Sequence, residues 1–403
     1  MKILVLLPRF PYPLDKGDKL RAYHQIVELA KQHEVYVFAL SHSEVRHDDY
    51  DHLTSVATAV RTVRIRWWES AWGVLKAFLT GQPLQLGYWS SARARKEYRR
   101  WEQQLQPDVV YCQMVRTIPT LTERCSLNTK HCSLNTKHCI LDFQDALSLN
   151  TRRRMERTHG LLRLILKYEY RALQRTEQKA VARFDATTVI ATADRDAIDP
   201  SVHLVPNGVD TDYFNTTRYP LPTTHYPLPT KPYTLVFTGN MSYAPNVDAA
   251  CWLVKDIMPL AWEQQPHGIK VLIAGADPKP AVRALAGPNV TVSGRLDDIR
   301  DASASARIFV APMRIGSGMQ NKLLEAMAMG LPCVTTSLAA TPLGATPGEH
   351  LLVGDTASDI ADLIVKLGTD ELHRAIADAG RRFVQECYSW PAAVEPLETI
   401  LTH

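Results

Sequence analysis

The residues best suited to chemistry lie in a glycine-rich segment at positions 316–322, which leads into a pattern typical of an amphipathic helix. A glycine loop at the start of a helix can bind an anion, because backbone N–H groups and the positive end of the helix dipole point towards it. Lys322 and Glu325 are three positions apart and would face the same side of that helix. A cation beside phosphates and a carboxylate beside ribose hydroxyls would suit a nucleotide-sugar. The alternative is an ordinary ion pair on a helix surface.

Two other glycines stand where a strand gives way to a turn or a helix. Gly17 follows a proline-rich loop, and Asp18 after it is a candidate N-cap. Asn207-Gly208 marks a tight turn at a strand end. For both, a simple turn without a ligand is the alternative. The chain contains neither G-x-G-x-x-G nor G-x-x-x-x-G-K-[ST], so a Rossmann dinucleotide motif and a P-loop are excluded.

The elements that would position these residues alternate between short apolar runs and helical patterns. Most of the runs are continuously apolar, as expected of parallel strands covered on both faces. Helical patterns such as 19–32, 247–263 and 357–367 separate them, which is the alternation of doubly wound α/β domains. The predicted strands are 2–7, 35–40, 63–67, 108–113, 139–143, 186–191, 203–206, 234–238, 270–274, 290–293, 308–311, 333–336 and 351–353.

This alternation is interrupted once by a proline-rich stretch and then begins again at Thr234. We therefore predict an N-terminal Rossmann-like domain over 1–212, a linker over 213–232 and a C-terminal Rossmann-like domain over 233–387. A last helix over 388–403 is expected to pack back on the first domain. Two such domains would face each other across a cleft.

Composition and cysteine content narrow the class of protein. Of the 403 residues, 45% are hydrophobic and 22% charged, which excludes disordered, collagen-like and coiled-coil chains. No apolar run approaches the roughly 18 residues that span a bilayer, and the run at 3–7 is too short for a signal peptide. Seven cysteines fit reduced thiols better than a disulfide scaffold. We expect a cytoplasmic protein, or one peripheral on the inner face of the cytoplasmic membrane.

Positive charge is concentrated in the first half. Residues 1–200 carry 31 Lys+Arg against 22 Asp+Glu, whereas the remainder carries 15 against 20. Stretches 61–101 and 151–183 combine these cations with tryptophan or leucine, a pattern that indicates contact with an anionic membrane surface. The alternatives are a solvated helix face and a core tryptophan cluster. Binding of nucleic acid is not predicted, because no recognition motif accompanies the charge.

Two short sequences are duplicated in tandem. SLNTKHC occurs at 126–132 and again at 133–139, and YPLPT at 219–223 recurs at 226–230. The first pair brings Cys125, His131, Cys132, His138 and Cys139 together in sequence, but their spacings match no standard zinc motif. We favour local duplication in surface loops over metal binding.

Five segments together carry a family resemblance. They are the loop with Gly17, PNGVDTDYF at 206–214, FTGN at 237–240, SGRLDDI at 293–299 and LLEAMAMGLPCVTT at 323–336. In this order they resemble the retaining glycosyltransferases of family 4, which have the GT-B fold. DFQDALS at 142–148 and FTGNMSYAPNVDAACW at 237–252 are similar to the sugar transferases associated with exosortase/PEP-CTERM systems.

The resemblance implies a set of site residues. Glu325 matches the second glutamate of the family's E-x7-E motif, which binds the ribose, and the first glutamate falls on Ser317. Asp145 matches the aspartate of a His-Asp strand end, with Gln144 in place of the histidine. The implied catalytic residues are Asp145, Lys322 and Glu325. The implied donor-binding residues are Gly17, Gly239, Asn240, Arg295, Arg314, Gly316, Ser317, Gly318, Met319, Gln320, Lys322 and Glu325.

The resemblance also implies an activity. It is transfer of a sugar, with retention, from a nucleotide-sugar to a glycan or polyprenyl-linked acceptor in cell-surface or exopolysaccharide biosynthesis, without metal or cofactor. The donor phosphate would assist removal of the acceptor proton on the same face of the sugar. Two alternatives remain open, a nucleotide-sugar epimerase with the same fold and a non-catalytic nucleotide-sugar-binding protein.

Overall fold

A computed structural model describes residues 1–121, 138–156, 158–215, 233–266, 268–316, 318–368 and 370–402. The chain divides into two compact units, one comprising 1–207 and 393–403 and the other 208–392. The division at 207/208 lies five residues before the predicted domain end at 212. Most of the predicted linker and of the duplicated sequences lies outside the described residues, as does Ser317.

The first unit contains a seven-stranded parallel sheet in the order β3-β2-β1-β4-β5-β6-β7. Its strands are Lys2–Leu7 (β1), Glu34–Ser41 (β2), Ala59–Arg64 (β3), Val109–Gln113 (β4), His138–Gln144 (β5), Ala186–Val189 (β6) and His203–Leu204 (β7). Its helices are Gly17–Leu29 (α1), His47–Thr54 (α2), Trp67–Leu79 (α3), Leu84–Tyr88 (α4), Ala92–Leu105 (α5), Leu147–Glu156 (α6), Gly160–Val181 (α7) and Thr192–Ile198 (α8), with a 3₁₀ turn at Val115–Thr120.

The second unit contains a six-stranded parallel sheet in the order β10-β9-β8-β11-β12-β13. Its strands are Tyr233–Thr238 (β8), Val271–Ala274 (β9), Val290–Gly294 (β10), Ala306–Ala311 (β11), Cys333–Thr335 (β12) and Leu352–Val353 (β13). Its helices are Ala244–Trp252 (α9), Met258–Gln264 (α10), Pro280–Arg283 (α11), Ile299–Ala304 (α12), Asn321–Ala328 (α13), Ser337–Ala340 (α14), Ala357–Lys366 (α15) and Asp370–Cys387 (α16). A π-turn at Leu253–Ile257 joins α9 to α10, and Thr341–Leu343 is a 3₁₀ turn.

All thirteen predicted strands are present, and both sheets are parallel as predicted. The prediction was wrong at 63–67, where the strand ends at Arg64 and Trp67 begins α3. The Glu69 side chain accepts a hydrogen bond from the Arg66 backbone N–H at 2.9 Å, which caps the first turn of α3. The final helix, Trp390–Thr402 (α17), crosses the division between the units. No helix among the described residues is long and apolar enough to span a membrane.

A buried ion pair ties the first helix to the centre of the first sheet. Arg21 of α1 and Asp142 of β5 are both fully buried, with 2.7 Å between Arg21 Nε and Asp142 Oδ2. The Tyr111 hydroxyl donates to the same carboxylate oxygen at 2.9 Å. The remaining guanidinium N–H groups donate to the carbonyl oxygens of Val205 and Pro206 at 3.0 and 2.9 Å. The arginine therefore fixes the PNG turn that ends this part of the unit.

Candidate functional site

The candidate site in the second unit lies where the connections that follow two neighbouring strands run in opposite directions along the sheet. From β8 the chain proceeds to β9 and β10 on one side of the sheet, whereas β11 pairs with the other edge of β8. The loops after β8 and β11 therefore diverge at the carboxyl ends of the strands. In open α/β sheets such a divergence leaves a crevice where ligands bind. Gly239 follows β8, and the predicted glycine loop follows β11.

Two glycines form the floor of this crevice. Gly239 has φ +155° and Gly275 has φ +147°, both in a region that favours glycine. A Cβ added to Gly275 would lie 1.7 Å from the carbonyl oxygen of Gly239. The two turns are thus packed backbone against backbone, and no side chain fits between them.

Lys322 reaches this floor from the first turn of α13. Its Nζ donates to Asn246 Oδ1 at 2.5 Å, and Asn246 Nδ2 donates to the carbonyl oxygen of Asn240 at 2.9 Å. A Cβ on Gly239 would lie 3.2 Å from Lys322 Nζ. The Lys322 ammonium also lies 4.9 Å from the centre of the Phe237 ring. The lysine is therefore held beside the Gly239 turn by a partner from α9.

Burial acts against the charged forms of both Lys322 and Glu325. Burial lowers the pKa of Lys322 to about 8, and the charge of Glu325 opposes that shift. Burial likewise raises the pKa of Glu325 to about 7, opposed by the charge of Lys322. Both groups are thus destabilised in their charged forms by loss of water. An anion placed against Lys322 and hydroxyls placed against Glu325 would replace that lost solvation.

The glycine loop before α13 has one backbone conformation that favours glycine and one hydrogen bond within the loop. Gly316 has φ +112°, and Gln320 Nε2 donates to the carbonyl oxygen of Gly318 at 3.1 Å. Met319 is half-buried beside them. Asn321 Oδ1 is buried and accepts no hydrogen bond from any described residue. Asn321 is therefore a further polar residue at the start of α13, and its position in the sequence gave no sign of this.

The other predicted cations of this unit are placed differently. Arg314 forms an ion pair with Asp248 at 2.7 Å, and its guanidinium lies 4.8 Å from the centre of the Trp252 ring. It is therefore already engaged by α9. Arg295 is exposed in the loop after β10, at the edge of the sheet. Asn240 uses its side chain within its own turn, accepting from the Ser242 backbone N–H at 2.8 Å.

In the first unit, Asp145 stands at the start of α6 without acting as its cap. The Ala146 N–H donates to Asp194 and the Ser148 N–H donates to Glu177, each at 3.0 Å. The Asp145 carboxylate forms no hydrogen bond or ion pair with a described residue. Desolvation by surrounding groups, and then the charge of Asp194, raise the pKa of Asp145 to about 6. The residue as a whole is exposed, so this desolvation comes from atoms close around the carboxylate and not from enclosure in the core.

Gly17 also lies in the first unit, in the first turn of α1 and exposed to solvent. A Cβ there would meet nothing within 4 Å, so nothing steric requires glycine at this position. Nearby, a pocket of about 380 Å³ opens beyond β1 and β2. Its wall combines cations and aromatic rings with two carboxylates, namely Arg9, Lys16, Lys19, His42, Trp89, Glu44 and Asp49. Sequence reasoning missed this pocket because its residues come from three separate segments.

Across the parts of the chain that the structure describes, no group of three or more His, Cys, Asp or Glu side chains is arranged to hold a metal ion. Cys139 is buried on β5, and Cys125, His131 and Cys132 lie outside the described residues.

Most of the second unit matches a known protein family. Residues 232–370 match the family model described as "Glycosyl transferases group 1". The phosphatidyl-myo-inositol mannosyltransferase of Mycobacterium tuberculosis (strain ATCC 25618 / H37Rv) is 30% identical over 234 residues, 54% of this chain. The alignment covers 58% of that relative, so the chain spans under two thirds of its length.

Solved structures agree on the fold across the whole chain. Anabaena Alr3699/HepE in complex with UDP matches with a TM-score of 0.64 at 16% identity, covering 100% of both chains. Sucrose-phosphate synthase (tll1590) from Thermosynechococcus elongatus matches with a TM-score of 0.63 at 14% identity, covering 100% of this chain and 98% of the other. With their two parallel sheets, the units have the GT-B fold, and within the second unit residues 232–370 match the family of group 1 glycosyl transferases.

Proposed function

We propose that this protein is a retaining glycosyltransferase that moves a sugar from a nucleotide-sugar to a glycan or polyprenyl-linked acceptor. The observation that carries the proposal is the Lys322–Glu325 pair beside the Gly239 turn, at the point where the second sheet diverges. A partly desolvated lysine and a partly desolvated carboxylate there match the diphosphate and the ribose of such a donor. The group 1 family match of the same unit supports this assignment.

On the donor side, the bond that breaks joins the sugar C1 to the outer oxygen of the diphosphate. The Lys322 ammonium would neutralise the negative charge that grows on that oxygen, and the N-terminus of α13 would add its dipole. The acceptor hydroxyl attacks C1 from the side of the departing diphosphate, and its proton passes to the diphosphate. This chemistry needs no metal or cofactor, and the protein's main contribution is positioning.

On the acceptor side, Asp145 and the pocket lined by Arg9, His42 and Trp89 are the groups we assign. A carboxylate with a pKa of about 6 can accept a hydrogen bond from a sugar hydroxyl near neutral pH. The name of the mycobacterial relative, a phosphatidyl-myo-inositol mannosyltransferase, supports an acceptor attached to a lipid. We place the protein in the cytoplasm, peripheral on the inner membrane face, within cell-surface or exopolysaccharide biosynthesis of the PEP-CTERM type.

The test begins with the donor. The purified protein is screened by thermal shift against UDP-, GDP-, dTDP- and ADP-sugars without added metal, since a ligand that binds the folded state raises the melting temperature. We expect one nucleotide class to raise it in the wild type and in Lys270→Ala, but not in Glu325→Ala. Lys270 is a matched control because it is exposed before β9, at the opposite end of the strands.

Product analysis then separates the alternatives. Sugar transfer to a polyprenyl phosphate or glycan acceptor, with the anomeric configuration kept, is the expected result. Donor turnover in the absence of acceptor would favour an epimerase. Donor binding with neither transfer nor hydrolysis would favour the non-catalytic protein that Ser317 and Gln144 raised as an alternative.

A further inference from the structure

We propose that helices α3 and α7 of the first unit form a docking surface for an anionic lipid bilayer. This deepens the proposed function by specifying the surface that would meet a membrane, and it rests on that function only for its biological purpose. Ten of the fifteen large hydrophobic side chains that are exposed in the described residues lie on these two helices. On α3 they are Trp67, Trp68, Trp72, Leu75, Phe78 and Leu79, and on α7 they are Leu161, Leu162, Leu164 and Ile165.

The exposed side chains follow the helical repeat. On α3, Trp68, Trp72, Leu75 and Leu79 are spaced by four, three and four positions, so they form one stripe along the helix. That stripe faces outwards, since Trp72 is 68% exposed and Leu79 is 73% exposed. The side of α3 that faces the protein carries small residues instead, including Gly73, where a Cβ would lie 2.1 Å from the carbonyl oxygen of Gly87.

Direct contacts hold α7 against the end of α3. The Tyr168 hydroxyl lies 3.1 Å from the carbonyl oxygen of Ala77, and its ring centre lies 5.5 Å from that of Phe78. The next residue, Glu169, is buried and accepts from the Leu84 backbone N–H at 2.6 Å. Leu161, which is 74% exposed, lies seven positions before Tyr168 and so continues the same face. The two stripes therefore meet at Phe78 and Tyr168 as one apolar surface.

The charges around this surface are of one sign. Every exposed charged residue of α7 is basic, and together they are Arg163, Lys167, Arg171, Arg175 and Lys179. Its two acidic residues, Glu169 and Glu177, are buried and accept backbone hydrogen bonds. Glu69, the single acidic residue of α3, accepts from Ser91 and from the backbone of Arg66. No described acidic side chain of either helix is left to neutralise these cations.

This chemistry fits a lipid surface better than a protein partner. Tryptophan prefers the boundary between headgroups and acyl chains, while lysine and arginine beside it attract anionic headgroups. A helix of this kind lies in the plane of the interface, with its apolar face about 5–10 Å deep. With α3 and the first turns of α7 inserted in this way, the first unit would be held at a bilayer.

The test measures binding to vesicles, with no donor present. Wild-type protein is sedimented with vesicles of phosphatidylcholine alone or mixed with phosphatidylglycerol, and tryptophan quenching by brominated lipids reports insertion. We expect binding to the anionic vesicles with quenching. Arg163→Gln/Lys167→Gln should weaken it roughly 30-fold, since each cation near such a surface contributes about a fivefold factor. Trp72→Ala/Leu164→Ala should weaken it at least tenfold.

Leu338→Ala is the matched control, because Leu338 is a 41% exposed leucine in the second unit and should not contribute. Unchanged vesicle binding in both double variants would overturn the proposal, as would an absence of binding by the wild type. A dimer that Trp72→Ala/Leu164→Ala converts to monomer, without vesicle binding, would assign the surface to a second copy and also overturn it. The thermal-shift screen uses no vesicles, so either result leaves the donor assignment independently testable.

Discussion

The Lys322–Glu325 pair should give donor binding a bell-shaped dependence on pH. The site binds best with Lys322 protonated and Glu325 ionised. The pKa of Glu325 is raised to about 7 and that of Lys322 is lowered to about 8, so the competent form is most populated near pH 7.5. The diphosphate of a nucleotide-sugar keeps the same charge between pH 6 and pH 9, so its phosphates do not contribute to the shape.

The size of the effect follows from these two values. If these values are taken as the two macroscopic pKa values of the coupled pair, about 60% of the molecules carry both charges at pH 7.5, and about 9% do so at pH 6 or pH 9. The apparent dissociation constant should therefore rise about sevenfold at either extreme. Isothermal titration calorimetry with the nucleotide-sugar identified by thermal shift measures it directly.

Each limb of the profile can be removed separately. In Glu325→Gln the weakening below pH 7 should disappear, and in Lys322→Ala the weakening above pH 8 should disappear, both at lower affinity overall. Lys270→Ala should keep the wild-type profile. A wild-type affinity that is flat from pH 6 to pH 9, or a bell that both site variants retain, would refute this reasoning.

Three further predictions concern stability, each measured by urea unfolding. Gly275→Ala should lower the free energy of unfolding by at least about 3 kcal/mol, because the added Cβ would lie 1.7 Å from a backbone oxygen. Gly287→Ala is the control and should change it little, because a Cβ there meets nothing within 4 Å. Equal losses in the two variants would contradict the packing of the Gly239 and Gly275 turns. Asp142→Asn should lower the free energy of unfolding by roughly 3–5 kcal/mol, because Arg21 would stay buried without its counter-charge. A loss below about 1 kcal/mol would contradict a stabilising role for this ion pair. Burial raises the pKa of Glu177 to about 7, so the free energy of unfolding falls as pH rises above about 4.5 and this carboxyl must ionise while buried. Glu177→Gln should therefore raise the free energy of unfolding by about 2–3 kcal/mol more at pH 8 than at pH 5. An equal effect at both pH values would refute this.

The strands could be predicted from the sequence because parallel strands are buried on both faces and appear as unbroken apolar runs. β1 shows this, since five of its six residues are fully buried. The exception at 63–67 has a clear cause. Tryptophan is common in strands, which is why Trp67 was predicted to end one. In the structure Trp67 and Trp68 form the first turn of α3, and both side chains are exposed and not packed in a core.

The candidate site could be predicted only where it is local in sequence. Lys322 and Glu325 are three positions apart, so helical geometry alone places them together. Asn246, which holds Lys322, lies 76 positions away on α9, and no spacing rule connects the two. The pocket beyond β1 and β2 was missed for the same reason. In contrast, the basic and tryptophan-rich stretches were visible in composition, but which of their tryptophans are exposed depends on packing: Trp72 is exposed, whereas Trp101 is buried.

In the proposed function, Lys322 binds the diphosphate of a nucleotide-sugar, so the donor affinity of Lys322→Ala measures that contact. Calorimetry at pH 7.5 compares the wild type, Lys322→Ala and Lys270→Ala with the same donor. Loss of one charge-assisted hydrogen bond to phosphate should weaken binding roughly 10- to 100-fold in Lys322→Ala alone. Equal affinity in all three proteins, or no donor binding by the wild type, would contradict the account.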